Sequence, residues 1–569
     1  MGIRRRDAAL LGLALCAGCY QGVEIPLGSG QAADSGIDID PDGDVPGTTG
    51  DAPDPDDPPE TEDAPPPQLR LLSSHEYENT VRDLLQVEFD NQVEWSDAHT
   101  GFDNGGRAQL DEALVSLLLL QSEAAADTYV ATRLSYDYPC LSEASLPAGC
   151  LEGFVDSFGL RAYRRPLTAT DRQGLLDFAA GLTVESPSNA ELVSLLVTRL
   201  LLSPKFLYRV EGGRIDTEDA AQVDDFDRAS LIAYTMTGSM PDAMLFADAL
   251  DGELDDEATA GHVRRLAQTP SGRAQMLRFA QQWFRLSNLQ RMRNTPEEFT
   301  KLPTPELGVS LATEFDRFIE STLLGSGTLS DLLTSTAYAV DANTAPLYGL
   351  PAPVGEEMVS VQAPAGRMGV LSLASVLASH ASGALVFRDK PIARGMLIKN
   401  QLLCEEIGLP SGIDINQAAE DAQGEIPDFD LMTSREQLEA IMNQGEQCIA
   451  CHQTFMPYGF LSGNYDALGQ YQTHFGERAL DPSVEQLALD GGLEDYADLA
   501  AFVPRLAQSD QLAACYVEQV ARFITGSTQS VLTERLAEDF EGFTADEVML
   551  ELFEQMLLHP ALYERNPTP

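Results

Sequence analysis

Positive charge is scarce in this chain: 36 Lys and Arg stand against 89 Asp and Glu, a formal charge of −53. A surface of that sign cannot displace counterions from phosphates, so nucleic acid is excluded as a partner, whereas a basic redox partner protein would be attracted. Long apolar runs are missing too. The apolar stretch at residues 8–17 falls far short of the ~20 residues that cross a bilayer. The sequence holds no Gly-x-x-x-x-Gly-Lys loop, no Gly-x-Ser-x-Gly elbow and no His-Glu-x-x-His helix. Nucleotide, serine-hydrolase and zinc-protease chemistry therefore have no support. No short-period repeat is present. Cysteine and histidine are few, 8 and 7 in 569 residues, which gives weight to any place where they cluster.

They cluster once, at Cys448-Ile449-Ala450-Cys451-His452. Two thiols three positions apart can add to the two vinyl groups of one porphyrin, and the adjoining His then reaches the iron as axial ligand. The cofactor called by this spacing is covalent haem c, with its iron, on Cys448, Cys451 and His452. Three other uses of the two thiols stay open: a structural disulfide, a thioredoxin-like redox pair, or half of a zinc site. The zinc reading lacks a second Cys-x-x-Cys or His-x-x-x-His to complete four ligands.

Haem c is attached outside the cytoplasm, and the N-terminus carries an export pattern. Arg4-Arg5-Arg6 precedes the apolar run, and Ala17-Gly18 supplies small residues before Cys19. Cys19 in that setting matches a bacterial lipobox, although Cys16 stands where Leu is preferred; ordinary signal cleavage is the alternative. Tyr20 in place of Asp directs the expected lipoprotein to the outer membrane, periplasmic or at the cell surface. From 21 to 68 the chain is rich in Asp, Pro and Gly and has no Lys or Arg. Such a segment cannot bury enough apolar surface to order itself, and is expected to be an extended acidic tether.

Cysteine use follows. With Cys19 lipidated and Cys448 and Cys451 on haem, Cys140 and Cys150 suit a local disulfide across a Pro- and Gly-containing loop. Cys16 leaves with the expected signal peptide; Cys404 and Cys515 then remain, and are expected to close a long-range bridge in an oxidising compartment.

Helical periodicity dominates the rest, so the expected fold is mainly α: an array of helical bundles with a C-terminal cytochrome c-like module. Ser73-x-x-Glu76, Thr168-x-x-Asp171 and Ser434-x-x-Gln437 mark helix starts. Apolar stripes follow, as in Tyr77, Val81, Leu84 and Leu85, or Leu110, Leu114, Leu117 and Leu118. The expected division is a signal peptide (1–19), the tether (20–68), and helical modules at 69–133, 134–185 and 186–350. A haem module (351–480) and a C-terminal helical module (481–569) complete it.

Several phrases in this order resemble one multidomain family, the planctomycete-type cytochrome c proteins, built from consecutive domains of unknown function. They are His75-Glu76-Tyr77 through Leu85, Gly101-Phe102-Asp103-Asn104, Arg161-Ala162-Tyr163-Arg164-Arg165-Pro166-Leu167, Leu202-Ser203-Pro204-Lys205-Phe206 and Gln282-Trp283-Phe284. Arg394-Gly395, Leu403-Cys404, Pro457-Tyr458-Gly459-Phe460, Asn464-Tyr465-Asp466 and Cys515 with Gln519 continue the series. Met456 and Ser527 depart from the pattern. The resemblance implies a haem cofactor and an extracytoplasmic site, and no substrate.

No Met occurs between Met456 and Met549. Met456, four residues after His452, lies on the proximal side if a helix continues, and cannot reach the opposite face of the iron. The sixth ligand is then His380, His474 or an open position; a hydrogen-bonded structural role for His380 is the competing reading. Arg394 can pair a haem propionate. Arg161, Arg164 and Arg165 can hold an acidic group or serve in salt bridges. Two functions remain on the page. One is an exported, lipid-anchored monohaem cytochrome relaying electrons in an extracytoplasmic oxidation, with an oxidoreductase activity left open. The other is a surface scaffold that binds a polymer or partner, with a structural haem or none.

Overall fold

The computed structural model describes residues 68–89, 95, 101–105, 110–143, 146–182, 188–211, 224–294, 304–355, 357–380, 389–405, 407, 426–443, 452–527 and 530–563. The expected leader with Cys19, the expected tether, Cys448 and Cys451 lie outside these residues. Among the described residues the fold is mainly α, and the strands form two-stranded antiparallel ribbons beside the helices.

The first ribbon pairs β1 (Gln68–Leu71) with a strand 140 residues later, and helix α1 (Ser74–Leu85) follows β1 directly. Its start is the reciprocal box expected from the sequence: Glu76 N donates to Ser73 Oγ and Ser73 N to the Glu76 carboxylate. Helix α2 (Glu112–Thr132) buries Leu114 and Leu118 but exposes Leu117, an expected core residue, together with Val115, Leu119 and Leu120. Helix α3 (Cys150–Ala162) is tied at its first residue by the Cys140–Cys150 disulfide, Cα–Cα 6.2 Å. Helix α4 (Asn189–Leu201) buries Leu192, Val193, Leu196, Val197 and Leu200. Strand β2 (Tyr208–Glu211) returns to β1. These elements share one core around Tyr77, Phe154, Phe158 and Leu196. Helix α4 therefore packs with the elements before it, on the near side of the division expected at 185; its stripe lies along α2.

A second core runs through the remainder. It gathers α5 (Asp225–Thr237), α6 (Pro270–Trp283), α7 (Pro305–Thr322), α8 (Ala374–Ser379), α9 (Pro391–Met396) and α10 (Met456–Phe460). After α9 the chain widens into a π-helical stretch at Leu397–Leu402, with Leu403 N bonded to Ile398 O at 3.0 Å. A hairpin of β3 (Val484–Leu489) and β4 (Gly492–Tyr496) precedes α11 (Asp510–Thr525) and α12 (Met549–Leu557). Phe279 of α6 contacts Phe523 and Phe553, and Trp283 contacts Tyr516. The C-terminal helices thus belong to the same core as residues 229–350.

One helix start differs from the sequence reading. The helix Ser434–Met442 is capped by Thr433 with Glu436, one residue before the expected Ser434 and Gln437. Those two side chains reach outward instead, Ser434 Oγ to the Asp389 carboxylate and Gln437 Nε2 to Phe429 O. Among the arginines, Arg165 pairs with Asp224 and Asp227, while buried Arg164 donates to the carbonyls of Lys205, Phe206 and Tyr208. Arg161 donates to Asp83 O.

Candidate functional site

His452 stands just before α10, a short helix that starts with Pro457 in its first turn. The ring is buried, and Phe455 packs against it with centroids 5.2 Å apart. Its Nδ1 lies 3.2 Å from Met456 Sδ, so Met456 is spent on the histidine's own side. Desolvation lowers the pKa of His452 and favours the neutral imidazole that metals bind.

Two helices seat this corner. Gly395 of α9 and Gly459 of α10 face each other so closely that a Cβ on either would strike backbone, the Phe455 carbonyl in one case and the Pro391 carbonyl in the other. Arg394, beside Gly395, is buried. Its Nη1 donates to Ser462 O and Tyr465 O at 3.3 and 2.8 Å, and its Nη2 to Leu377 O and Asp466 O at 3.3 and 2.7 Å. Nε alone finds no partner among the described residues. One N–H of this guanidinium thus remains for an acidic group such as a propionate, while the other four knit α8, α9 and the segment after α10 together.

His380 follows α8 and is buried. Its Nδ1 lies 3.0 Å from Val376 O. A carbonyl only accepts, so Nδ1 carries the proton and Nε2 the lone pair. Burial, with the charge of nearby Arg394 adding to it, pushes the pKa of His380 down to about 4. His474 is placed otherwise: it is exposed on a two-residue strand, with Nδ1 3.0 Å from Thr473 Oγ1.

Among the described residues no group of three or more His, Cys, Asp or Glu side chains is gathered as a metal cage. Haem needs none, since the porphyrin supplies four nitrogens and the protein one or two axial ligands. The donor set here, two buried neutral imidazoles and a single spare arginine N–H in one module, fits that group.

Sequence reading missed the residues that hold α8. Glu314 of α7 is buried and accepts from Ser375 N and from Tyr348 OH, at 2.8 and 2.7 Å; Tyr348 OH in turn accepts from Ala374 N at 2.8 Å. Asn288 Nδ2 donates to Ser379 O at 2.9 Å. The available signal was a carboxylate on the apolar stripe of Leu311, Phe315 and Phe318.

The second expected disulfide is present as well: Cys404 and Cys515 are joined, Cα–Cα 5.2 Å, with Gln519 Nε2 3.4 Å from Cys404 Sγ.

Comparison with known proteins finds four family models along the chain. PSD3, a protein of unknown function (DUF1587), matches residues 70–131. PSD5 (DUF1595), of unknown function, matches 150–211, which agrees with the packing of α4. PSD4 (DUF1592), of unknown function, matches 223–350. PSCyt3 (DUF1588), also of unknown function, matches 367–475 and encloses His380, Arg394, Cys448, Cys451 and His452. No curated protein and no solved structure matches the chain. The chain therefore carries, in the order PSD3, PSD5, PSD4 and PSCyt3, four domains of the planctomycete cytochrome c-type family.

Proposed function

We propose that this protein is an exported, lipid-anchored monohaem c-type cytochrome that passes electrons in an extracytoplasmic oxidation. The observation that carries the reading is Cys448-x-x-Cys451-His452 inside the domain named PSCyt3. Haem held there supplies one-electron chemistry at a fixed potential. The chain's own part is to present a neutral imidazole from His452, to bury it against Phe455, and to exclude water through the α9–α10 contact. The leader, Cys19 and the two disulfides fit an oxidising compartment and a membrane attachment through lipid.

The test is spectroscopic and covalent together. Protein made in a host with haem-attachment machinery should give the reduced α-band of a two-thioether haem and keep its haem through a denaturing gel. The C448A/C451A variant should lose both. A haem-free wild type with Cys448 and Cys451 joined as a disulfide would sink the reading. Cys19→Ser should move the protein from the detergent phase to the aqueous phase.

A scaffold function is the second reading, favoured by the exposed apolar side chains of α2, Val115, Leu117, Leu119 and Leu120. Redox titration separates the two. A reversible couple that exchanges electrons with a partner supports the relay, and an inert centre supports the scaffold.

A further inference from the structure

We infer that His380 is the second axial ligand of the iron, and that Glu314 of the neighbouring PSD4 domain is a positioning residue for it. The inference rests on the haem reading above and deepens it.

A ligand opposite His452 must be neutral, deprotonated at one nitrogen and held by its surroundings. His380 meets each requirement by geometry. The Nδ1–H···O bond to Val376 fixes the tautomer, and among the described residues Nε2 makes no hydrogen bond. Donating the Nε2 lone pair to iron releases no proton, because the ring's proton is already on Nδ1. The helix that carries His380 is gripped at both ends. Glu314 and Tyr348 take the backbone N–H groups of Ser375 and Ala374 at its start; Asn288 and Arg394 donate to the carbonyls of Ser379 and Leu377 near its end. Gly469 lies against its Ala374 and Leu377. The hydrogen-bonding partners come from four separate segments, and they add to the core packing of Val376 and Leu377 in fixing the short helix that leads into buried His380. The route to His452 runs through the same groups: Arg394 beside Gly395, Gly395 against Phe455, Phe455 against His452. Exposed His474 has no such support.

Glu314 gives the arrangement its second meaning. It stands on α7, in the PSD4 match, while its Ser375 partner lies in the PSCyt3 match. The large helical domain thereby sets where the distal ligand sits, which accounts for a haem module built onto a long helical array.

The full-length holoprotein decides the matter without mutation. Its ferric electron paramagnetic resonance spectrum should be that of low-spin iron with two imidazoles; a high-spin, five-coordinate spectrum would overturn the inference. H380A should become high-spin, and added imidazole should restore the low-spin spectrum. H380A that remains six-coordinate and low-spin overturns the assignment, whereas H474A should leave the spectrum unchanged. E314Q should retain low-spin ferric iron yet bind carbon monoxide in the ferrous state more tightly than wild type, because the helix leading to His380 is held less firmly. Unchanged carbon monoxide affinity in E314Q would remove Glu314 from the positioning role. A pyridine haemochrome assay keeps the two claims apart. No haem in the wild type defeats the cytochrome reading and this inference with it; haem with one axial imidazole defeats only this inference.

Discussion

His75 packs where the PSD3 and PSD4 segments meet. Asn79 Nδ2 donates to its Nε2 at 3.1 Å and also to Gly238 O at 3.2 Å. Burial, with Arg278 and Arg82 nearby, pushes its pKa from 6.5 down to about 3. The sign of the linkage follows. Between pH 3 and 6.5 the unfolded chain binds a proton that the folded chain refuses, so His75's contribution is complete above about 6.5 and falls as pH is lowered. The slope approaches 1.4 kcal/mol per pH unit, as one protonation allows. H75N should be less stable at pH 7 and show a flatter loss between pH 6 and 4 in urea unfolding. Parallel curves for the two proteins would show that His75 does not titrate on unfolding. His75 was visible in the sequence as part of the phrase His75-Glu76-Tyr77. Its environment was not, because Gly238 and Arg278 come from far along the chain. The same limit veiled Glu314: a carboxylate on the stripe of Leu311, Phe315 and Phe318 was visible, but its partners Tyr348 and Ser375 are set by tertiary packing.

Where elements meet, the crossing of α9 and α10 is the sharpest constraint on the candidate site. Both faces of the contact are glycine, and the atoms a Cβ would meet are carbonyls of the opposite backbone, which cannot rotate away. Gly395→Ala or Gly459→Ala should each cost about 1–3 kcal/mol as overpacking does, read as a lower thermal midpoint. Gly153→Ala in α3 is the contrast: its Cβ meets nothing within 4 Å, and Ala should gain about 0.5–1 kcal/mol there. Equal midpoints for all three variants would mean that the close approach carries no cost. Two of the three expected element starts were legible, since Ser73 and Thr168 each accept from the backbone N–H three residues on. The Thr433 cap was displaced by one residue because Ser434 and Gln437 found tertiary partners. The β3–β4 hairpin was missed although its turn had a signal: Asp490 and Gly491 take φ 49 and 72 between Leu489 and Gly492, the two positive values a type I′ turn demands. Its alternation is broken by a register shift between Val484 and Leu487, which hid the strand period.

Across the whole molecule, the chain is closed by clasps between its ends. Arg70 Nε donates to Asn104 O at 2.7 Å and Arg70 Nη1 to Ile524 O at 3.2 Å, while Asn104 Nδ2 donates to Phe523 O at 2.7 Å. Phe102 stacks on Phe279 and meets Phe523. The phrase Gly101-Phe102-Asp103-Asn104 thus joins the first module to the C-terminal helices, a role that spacing alone could not give. The Cys404–Cys515 bridge adds a covalent clasp over a separation of 111 residues. Cysteine counting anticipated that pair, because an expected use stood against each of the other thiols. A loop of that length is worth up to about 4–5 kcal/mol through the unfolded state, and measured values often fall short. Trp283–Tyr516 and Phe279–Phe523 packing holds α11 independently. C404S/C515S should therefore stay folded, lose about 2–4 kcal/mol, and still unfold the 226–563 core in one transition. Limited proteolysis checks the last point. If residues after 481 are digested while the rest stays protected, the C-terminal helices form a unit of their own, and the shared core around Phe279 does not bind them into one cooperative body.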